Sequence, residues 1–264
     1  MNSDGYVSLD RQFSLVPENN ESEHDESFYG FGLIGTEGWD DIEKKFRCVI
    51  LAEAGAGKTE EMRQRAVVLS GQGKASFFIR IEDIEADFYE AFEVGETSQF
   101  NQWLQSTEEA WFFLDSIDEA RLENPRVFEK ALRKFARGIR SGAHRAHIIL
   151  SSRPYSWRPR EDRRLLNQIL PFAELKAEEK SGTDDSSSDS KSALTLYSLR
   201  PLDVNRIRKF SEDRQANDVN RLLQEIERAD LWSLAERPFD LEGILAKWDD
   251  DGFLGGRLEL LRHN

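Results

Sequence analysis

The stretch Ala52-Glu53-Ala54-Gly55-Ala56-Gly57-Lys58-Thr59 decides how the rest of the chain is read. It follows the apolar run 47–52 (RCVILA) and precedes a segment whose Met62, Ala66 and Leu69 recur at helical spacing. A tight, glycine-bearing turn between a strand and a helix points consecutive backbone N–H groups inward, where they suit phosphate oxygens. Gly55 and Gly57 supply the unusual backbone angles and the close approach that such a turn needs. The positive end of the following helix, starting near Gly57, faces the same anion. Ala52 stands where the common pattern has its leading Gly. In this reading Lys58 reaches the β- and γ-phosphates, and the Thr59 hydroxyl ligates Mg²⁺. The binding set is then Glu53, Ala54, Gly55, Ala56, Gly57, Lys58, Thr59 and Glu60, with ATP or ADP and Mg²⁺ as the implied ligands.

Outward from this loop, further short apolar runs occur at 76–81, 110–115, 146–151 and 194–199. They are continuous rather than alternating, as strands covered on both faces of a parallel sheet should be. Helical patterns fill the intervals. Gly71 is the expected C-cap of the first helix. Asn124-Pro125 opens another, with Phe128, Leu132, Phe135 and Ile139 on one stripe. Strand–helix alternation predicts an open α/β sheet, and with the phosphate-loop pattern the expected fold class is α/β, a P-loop NTPase parallel sheet with flanking helices. After residue 200 only helical patterns remain: Val204/Ile207/Phe210, Leu222/Ile226 and Leu241/Ile244/Leu245/Trp248. The expected organisation is a flexible N-terminal arm over 1–29, a core over 30–200, and a small helical subdomain over 201–264. Residues 17–27 read as a linker, and 176–192, rich in Ser and Asp, as an unstructured surface insertion.

Composition sets the outer bounds. The chain has 264 residues and 39% hydrophobic content, enough for a core, so wholesale disorder is excluded. Thirty-six Lys+Arg against fifty Asp+Glu leave a net charge of −14, which argues against indiscriminate nucleic-acid binding. The single cysteine, Cys48, sits in an apolar run and reads as a small buried hydrophobe. There is no membrane-length apolar stretch and no signal sequence, so a soluble cytoplasmic protein is the expectation. His144 and His147 lack a nearby third ligand, and no zinc site is expected.

The metal needs a second acidic element. Trp111-Phe112-Phe113-Leu114 runs into Asp115, which places a carboxylate at the carboxyl edge of the sheet as the Mg²⁺ partner. Asp118 and Glu119 are candidates for polarising the attacking water, with their division of labour open. Ser151-Ser152-Arg153-Pro154 ends the fourth run, and Arg153 suits a γ-phosphate sensor because its planar fork of donors matches phosphate oxygens. The catalytic set is Lys58, Asp118, Glu119 and Arg153.

Three segments together, AEAGAGKT, FFLDSIDEA and IILSSRP, resemble the NACHT branch of the STAND nucleotide-binding switches. Ser116 after the metal-binding Asp, with the acidic pair two residues on, fits that branch better than general AAA+ ATPases. Leu199-Arg200-Pro201-Leu202 resembles the start of the family's helical domain. Leu234-Ala235-Glu236-Arg237-Pro238-Phe239 resembles its segment whose proline lies near the adenine, which makes Pro238 a base-contact candidate. The resemblance implies a strand order of 5-1-4-3-2, which would bring Arg153 beside Lys58 and Asp115. It also implies an ATP-binding, slowly hydrolysing switch, by family analogy in prokaryotic anti-phage defence. Self-association, or a partner protein supplying sensor and effector, goes with it. The alternatives are an ADP-holding regulator with negligible turnover and a nucleic-acid-stimulated AAA+-like ATPase. The Arg- and aromatic-bearing stretch 153–164 could serve the latter, but a solvated face contacting a neighbouring subunit is the preferred reading. Trp39 is a further residue that could pack near the base.

Overall fold

A computed structural model describes residues 6–17, 34–84, 87–115, 117, 125–170 and 194–255. The expected linker 17–27 and insertion 176–192 lie, apart from Pro17, outside the described residues, as do Asp118 and Glu119. The chain forms two compact units. One comprises Gln12–Ala52 and Thr59–Ser198. The other comprises Met1–Arg11, Glu53–Lys58 and Leu199–Asn264.

The first unit is built on a mixed sheet. Its strands are β1 (Phe13–Leu15), β2 (Ile34–Glu37), β3 (Arg47–Leu51), β4 (Ala75–Arg80), β5 (Phe92–Val94), β6 (Ala110–Asp115), β7 (Ala146–Ser152) and β8 (Thr195–Leu199). Their order is β2-β1-β8-β3-β7-β6-β4-β5. The pairs β3/β8, β3/β7, β6/β7 and β4/β6 are parallel. Numbered by the five apolar runs of the sequence, the central order is 5-1-4-3-2, as expected. The structure adds three short strands at the sheet edges. β5 pairs antiparallel with β4 and β2 antiparallel with β1. These edge strands are three or four residues long, too short to carry a periodic signal. β1 also lies within the arm expected to be flexible, yet Phe13 is buried and Val16 N–H donates to Leu196 O at 2.9 Å.

Every residue of β3, β6 and β7 is buried, because helices cover both faces of the sheet. These helices include α1 (Trp39–Ile42), α2 (Lys58–Gly71), α3 (Thr97–Gln105), α4 (Pro125–Gly138) and α5 (Pro159–Ile169). Met62, Ala66 and Leu69 of α2 are buried as their spacing predicts, and so are Phe128, Leu132 and Phe135 of α4 and Ile139 just beyond it. Gly71 is not the cap of α2. The helix runs through it, and the left-handed residue is Gly73 at φ +80°, where Lys74 N–H donates back to Leu69 O at 3.1 Å. Cys48 is fully buried, and burial pushes its thiol up to about 12, so it is the inert hydrophobe expected.

The second unit is helical. It contains α6 (Val204–Asp213), α7 (Val219–Arg228), α8 (Trp232–Ala235) and α9 (Pro238–Asp251). Asp203 and Asp218 cap α6 and α7 with their side chains, accepting from Arg206 N–H and Arg221 N–H. Ile207, Phe210, Leu222, Ile226, Leu241, Ile244, Leu245 and Trp248 make its core. Val204, expected on the same stripe, is exposed in the first turn of α6. Val7 and Leu9 join this core, so the N-terminal residues 6–11 are folded into the helical unit. No helix among the described residues is long and apolar enough to cross a membrane.

Candidate functional site

The loop between β3 and α2 is where two different constraints on side-chain size coincide. Gly55 and Gly57 both lie in the left-handed region, at φ +77° and +83°, with Ala56 between them outside it. Alternation of this kind turns successive N–H groups to one side and makes an anion-binding concavity. A Cβ on Gly55 would come within 3.2 Å of Phe239 Cβ, and one on Gly57 within 3.3 Å of Pro238 Cγ. Glycine is therefore favoured by angle, and an added Cβ would also press tightly on its neighbour. Ala56 N–H closes the turn onto Glu53 O at 3.3 Å, and α2 starts at Lys58.

This loop is held by the helical unit to which it belongs. Phe239 N–H, in the first turn of α9, donates to Gly55 O at 3.2 Å. Pro238, at the start of that helix, has no N–H to leave unsatisfied and is pre-set for the first helical position. The Phe239 ring is 69% exposed beside the loop. A second support comes from Arg11, only 2% exposed, whose guanidinium donates to Ala56 O and to Arg200 O, both at 2.9 Å. Sequence reading missed Arg11. It sits 45 residues from Ala56 in a segment read as an arm, and no local pattern announces so distant a bond. It also missed Phe239 as a loop contact, although the adjacent Pro238 was singled out.

In the sheet unit, Asp115 closes β6 and is 1% exposed. A buried carboxylate must find donors, and Ser151 Oγ on the adjacent strand β7 donates to it. The register Leu114↔Leu150 sets the next pair, Asp115 and Ser151, side by side. On the other side β4 places Arg80 opposite Asp115. β7 also pairs with β3, where Leu51 is opposite Ser152 and Ala52 N–H donates to Ser152 O at 3.1 Å. The end of β7 thus lies between the end of β6, which bears Asp115, and the end of β3, which runs on into the loop. Arg153 follows directly, half-buried, and donates from Nη1 to the Tyr155 hydroxyl at 2.9 Å.

The remaining sequence-proposed residues are placed as follows. Thr59 stands in the first turn of α2, half-buried. The Glu60 carboxylate is engaged within that helix by Arg63 and Gln64, both at 2.9 Å. Trp39 is held in the packing of the sheet unit, edge-on to Phe13 at 4.9 Å and to Phe113 at 6.0 Å, with its indole N–H donating to Glu61 at 3.3 Å. His147 is a core residue, stacked between Phe46 at 4.3 Å and Trp111 at 4.9 Å.

No protein-family model matches the chain. No curated protein matches it either. Among solved structures it is similar to the Walker-type ATPase PABY2304 of Pyrococcus abyssi, with a TM-score of 0.45 and 12% sequence identity over 85% of this chain and 69% of that one. A likeness of this size leaves the fold to rest on the strand order and the loop themselves.

Proposed function

We propose that the chain binds ATP and hydrolyses it slowly, as a molecular switch of the NACHT/STAND type. The observation that carries the proposal is the Gly55–Gly57 loop, where both glycines have a positive φ and a tightly packed Cβ position, the backbone pattern in which loop amides can cradle a phosphate. Glu53, Ala54 and Ala56 complete that loop. Lys58, first residue of α2, and the buried Arg11 at the loop's backbone add positive charge. Thr59 and Asp115 are hard oxygen donors, the chemistry that Mg²⁺ takes. The bound ion would neutralise charge on the phosphates. Arg153 would sense the γ-phosphate from the end of β7, and Pro238 would contact the adenine. Asp118 and Glu119 would polarise the attacking water, whose oxygen bonds to the γ-phosphorus as the bond to the bridging oxygen breaks.

The switch reading has its own support. Gly55 O accepts directly from Phe239 N–H of α9. An anion that draws the loop's amides toward itself therefore acts on a backbone bonded to the start of a helix, and the helix can respond to whether the γ-phosphate is present. Single-turnover hydrolysis tests the proposal. The wild type should turn over well above Lys58→Ala, and Asp118→Asn should retain nucleotide while losing hydrolysis. Equal rates for wild type and Lys58→Ala would end the enzyme claim. Mass spectrometry of the nucleotide retained on purification separates ATP from ADP or GTP.

A further inference from the structure

Residues 125–170 carry twelve Lys+Arg and three Asp+Glu, a net +9 that leaves the remaining chain at −23. The structure gathers much of this charge at one place. Lys130, Arg133, Lys134, Arg137 and Arg140 line a groove of about 600 Å³, faced by Gln168 of α5. On α4 the first four stand at i, i+3, i+4 and i+7, so they share one side of the helix over roughly 10 Å. Arg133, Arg137 and Arg140 are exposed. Arg133 pairs with Glu129 at 2.7 Å across exposed surface, a contact that water and salt screen and that a phosphate can displace. The opposite side of α4 is spent on the core through Phe128, Leu132 and Phe135. Arg140 opens the short 3₁₀ segment that feeds the amino end of β7. The Arg140 end of the groove therefore lies toward the amino end of β7, whereas Asp115 and Ser152 close their strands at the carboxyl edge.

We propose that this groove binds the phosphate backbone of a nucleic acid, without reading its sequence. Closely spaced, Arg-rich cations in a concave site suit a polyphosphate chain, because each guanidinium offers forked donors to phosphate oxygens. A membrane surface fits less well, since such a helix needs an exposed apolar face and α4 has buried its own. Ala136 and Ile169 also line the groove, and an acidic protein partner that used them as an apolar centre is the competing occupant that the polyglutamate arm of the test decides. The acidic remainder of the molecule repels a polyanion, so contact is confined to this face.

The test uses the full chain without added nucleotide, so its outcome is independent of the ATPase proposal. A fluorescein-labelled DNA duplex of about 20 base pairs is titrated by anisotropy at several salt concentrations. With four or five phosphates neutralised, log K should fall against log[salt] with a slope of about −4. The triple variant Arg133→Gln/Arg137→Gln/Arg140→Gln should lose at least tenfold in affinity at about 100 mM salt and flatten the slope by about 2.7. Circular dichroism of the variant checks that it is folded. Should it not fold, single Arg→Gln variants, each expected to flatten the slope by about 0.9, take its place. No duplex binding by the wild type at about 50 mM salt, or variants that bind with an unchanged slope, would overturn the proposal. Tighter binding to anionic phosphatidylserine vesicles or polyglutamate than to duplex, lost in the same variants, would overturn it in favour of that partner.

Discussion

At the scale of single residues, the candidate site rests on two glycines that are constrained twice. A left-handed backbone costs an L-residue roughly 1–2 kcal/mol, and at Gly55 and Gly57 an added Cβ also meets Phe239 or Pro238 at 3.2–3.3 Å. Gly57→Ala should therefore lower stability by about 1–2 kcal/mol in the absence of nucleotide. It should also weaken nucleotide binding at least tenfold, because the displaced amides no longer converge. Thermal melts and equilibrium nucleotide titration would check this. A variant with wild-type melting and affinity would show that the loop does not need its left-handed residues. These glycines were legible because the motif and its place between strand and helix are local. Arg11 was not, since its bond to Ala56 is made by the folding of distant chain. Ser151 illustrates an intermediate case. It was visible as a hydroxyl at a strand end, but its acceptor, Asp115, is set only by which strands pair.

At the scale of elements, the end of α2 separates two glycines that look equivalent in Gly71-Gln72-Gly73. Gly71 is helical with nothing within 4 Å of an added Cβ, so Gly71→Ala should stabilise the protein by about 0.5–1 kcal/mol through helix propensity. Gly73 is equally open but has φ +80°, so Gly73→Ala should destabilise it by about 1–2 kcal/mol. Chemical denaturation of the two variants reads both signs. Changes of the same sign would refute the assignment of the cap. Sequence spacing identified the helix and its buried face, yet it put the cap two residues early, because either glycine could end a helix and the hydrogen-bonded turn onto Leu69 chooses between them. The edge strands β1, β2 and β5 were missed for a related reason. Their pairing, rather than any periodicity of their own, makes them strands.

At the scale of the molecule, the parallel sheet buries groups that its amphipathic surroundings cannot solvate. His147 lies in the fully buried strand β7, and burial holds its imidazole below the usual histidine range despite Glu109 at 3.4 Å. An unfolded histidine titrates near about 6.5. Between that value and the lowered folded one, the unfolded chain binds the extra proton and the native state does not. This part of the stability is therefore present above about pH 6.5 and is lost as the pH falls toward the folded value. His147→Phe, which keeps a flat ring between Phe46 and Trp111, should remove that acid-side loss. Melting temperatures measured from about pH 7.5 to 5.5 would show it as a flatter profile than wild type. A variant as pH-dependent as wild type over that range would place the sensitivity elsewhere.

What the sequence determined by itself was whatever depends on residues near one another in the chain. It identified the five parallel strands as continuous apolar runs, the buried faces of α2 and α4 as helical stripes, and the loop as glycines at fixed offsets from Lys58 and Thr59. The tertiary structure alone decided which distant groups meet: Phe239 and Arg11 on the loop backbone, and Ser151 on Asp115. The physical reason is range. Backbone propensity and periodicity act over a few residues, whereas a hydrogen bond between positions 36 or more apart exists only once the sheet order and the helix docking have brought them together.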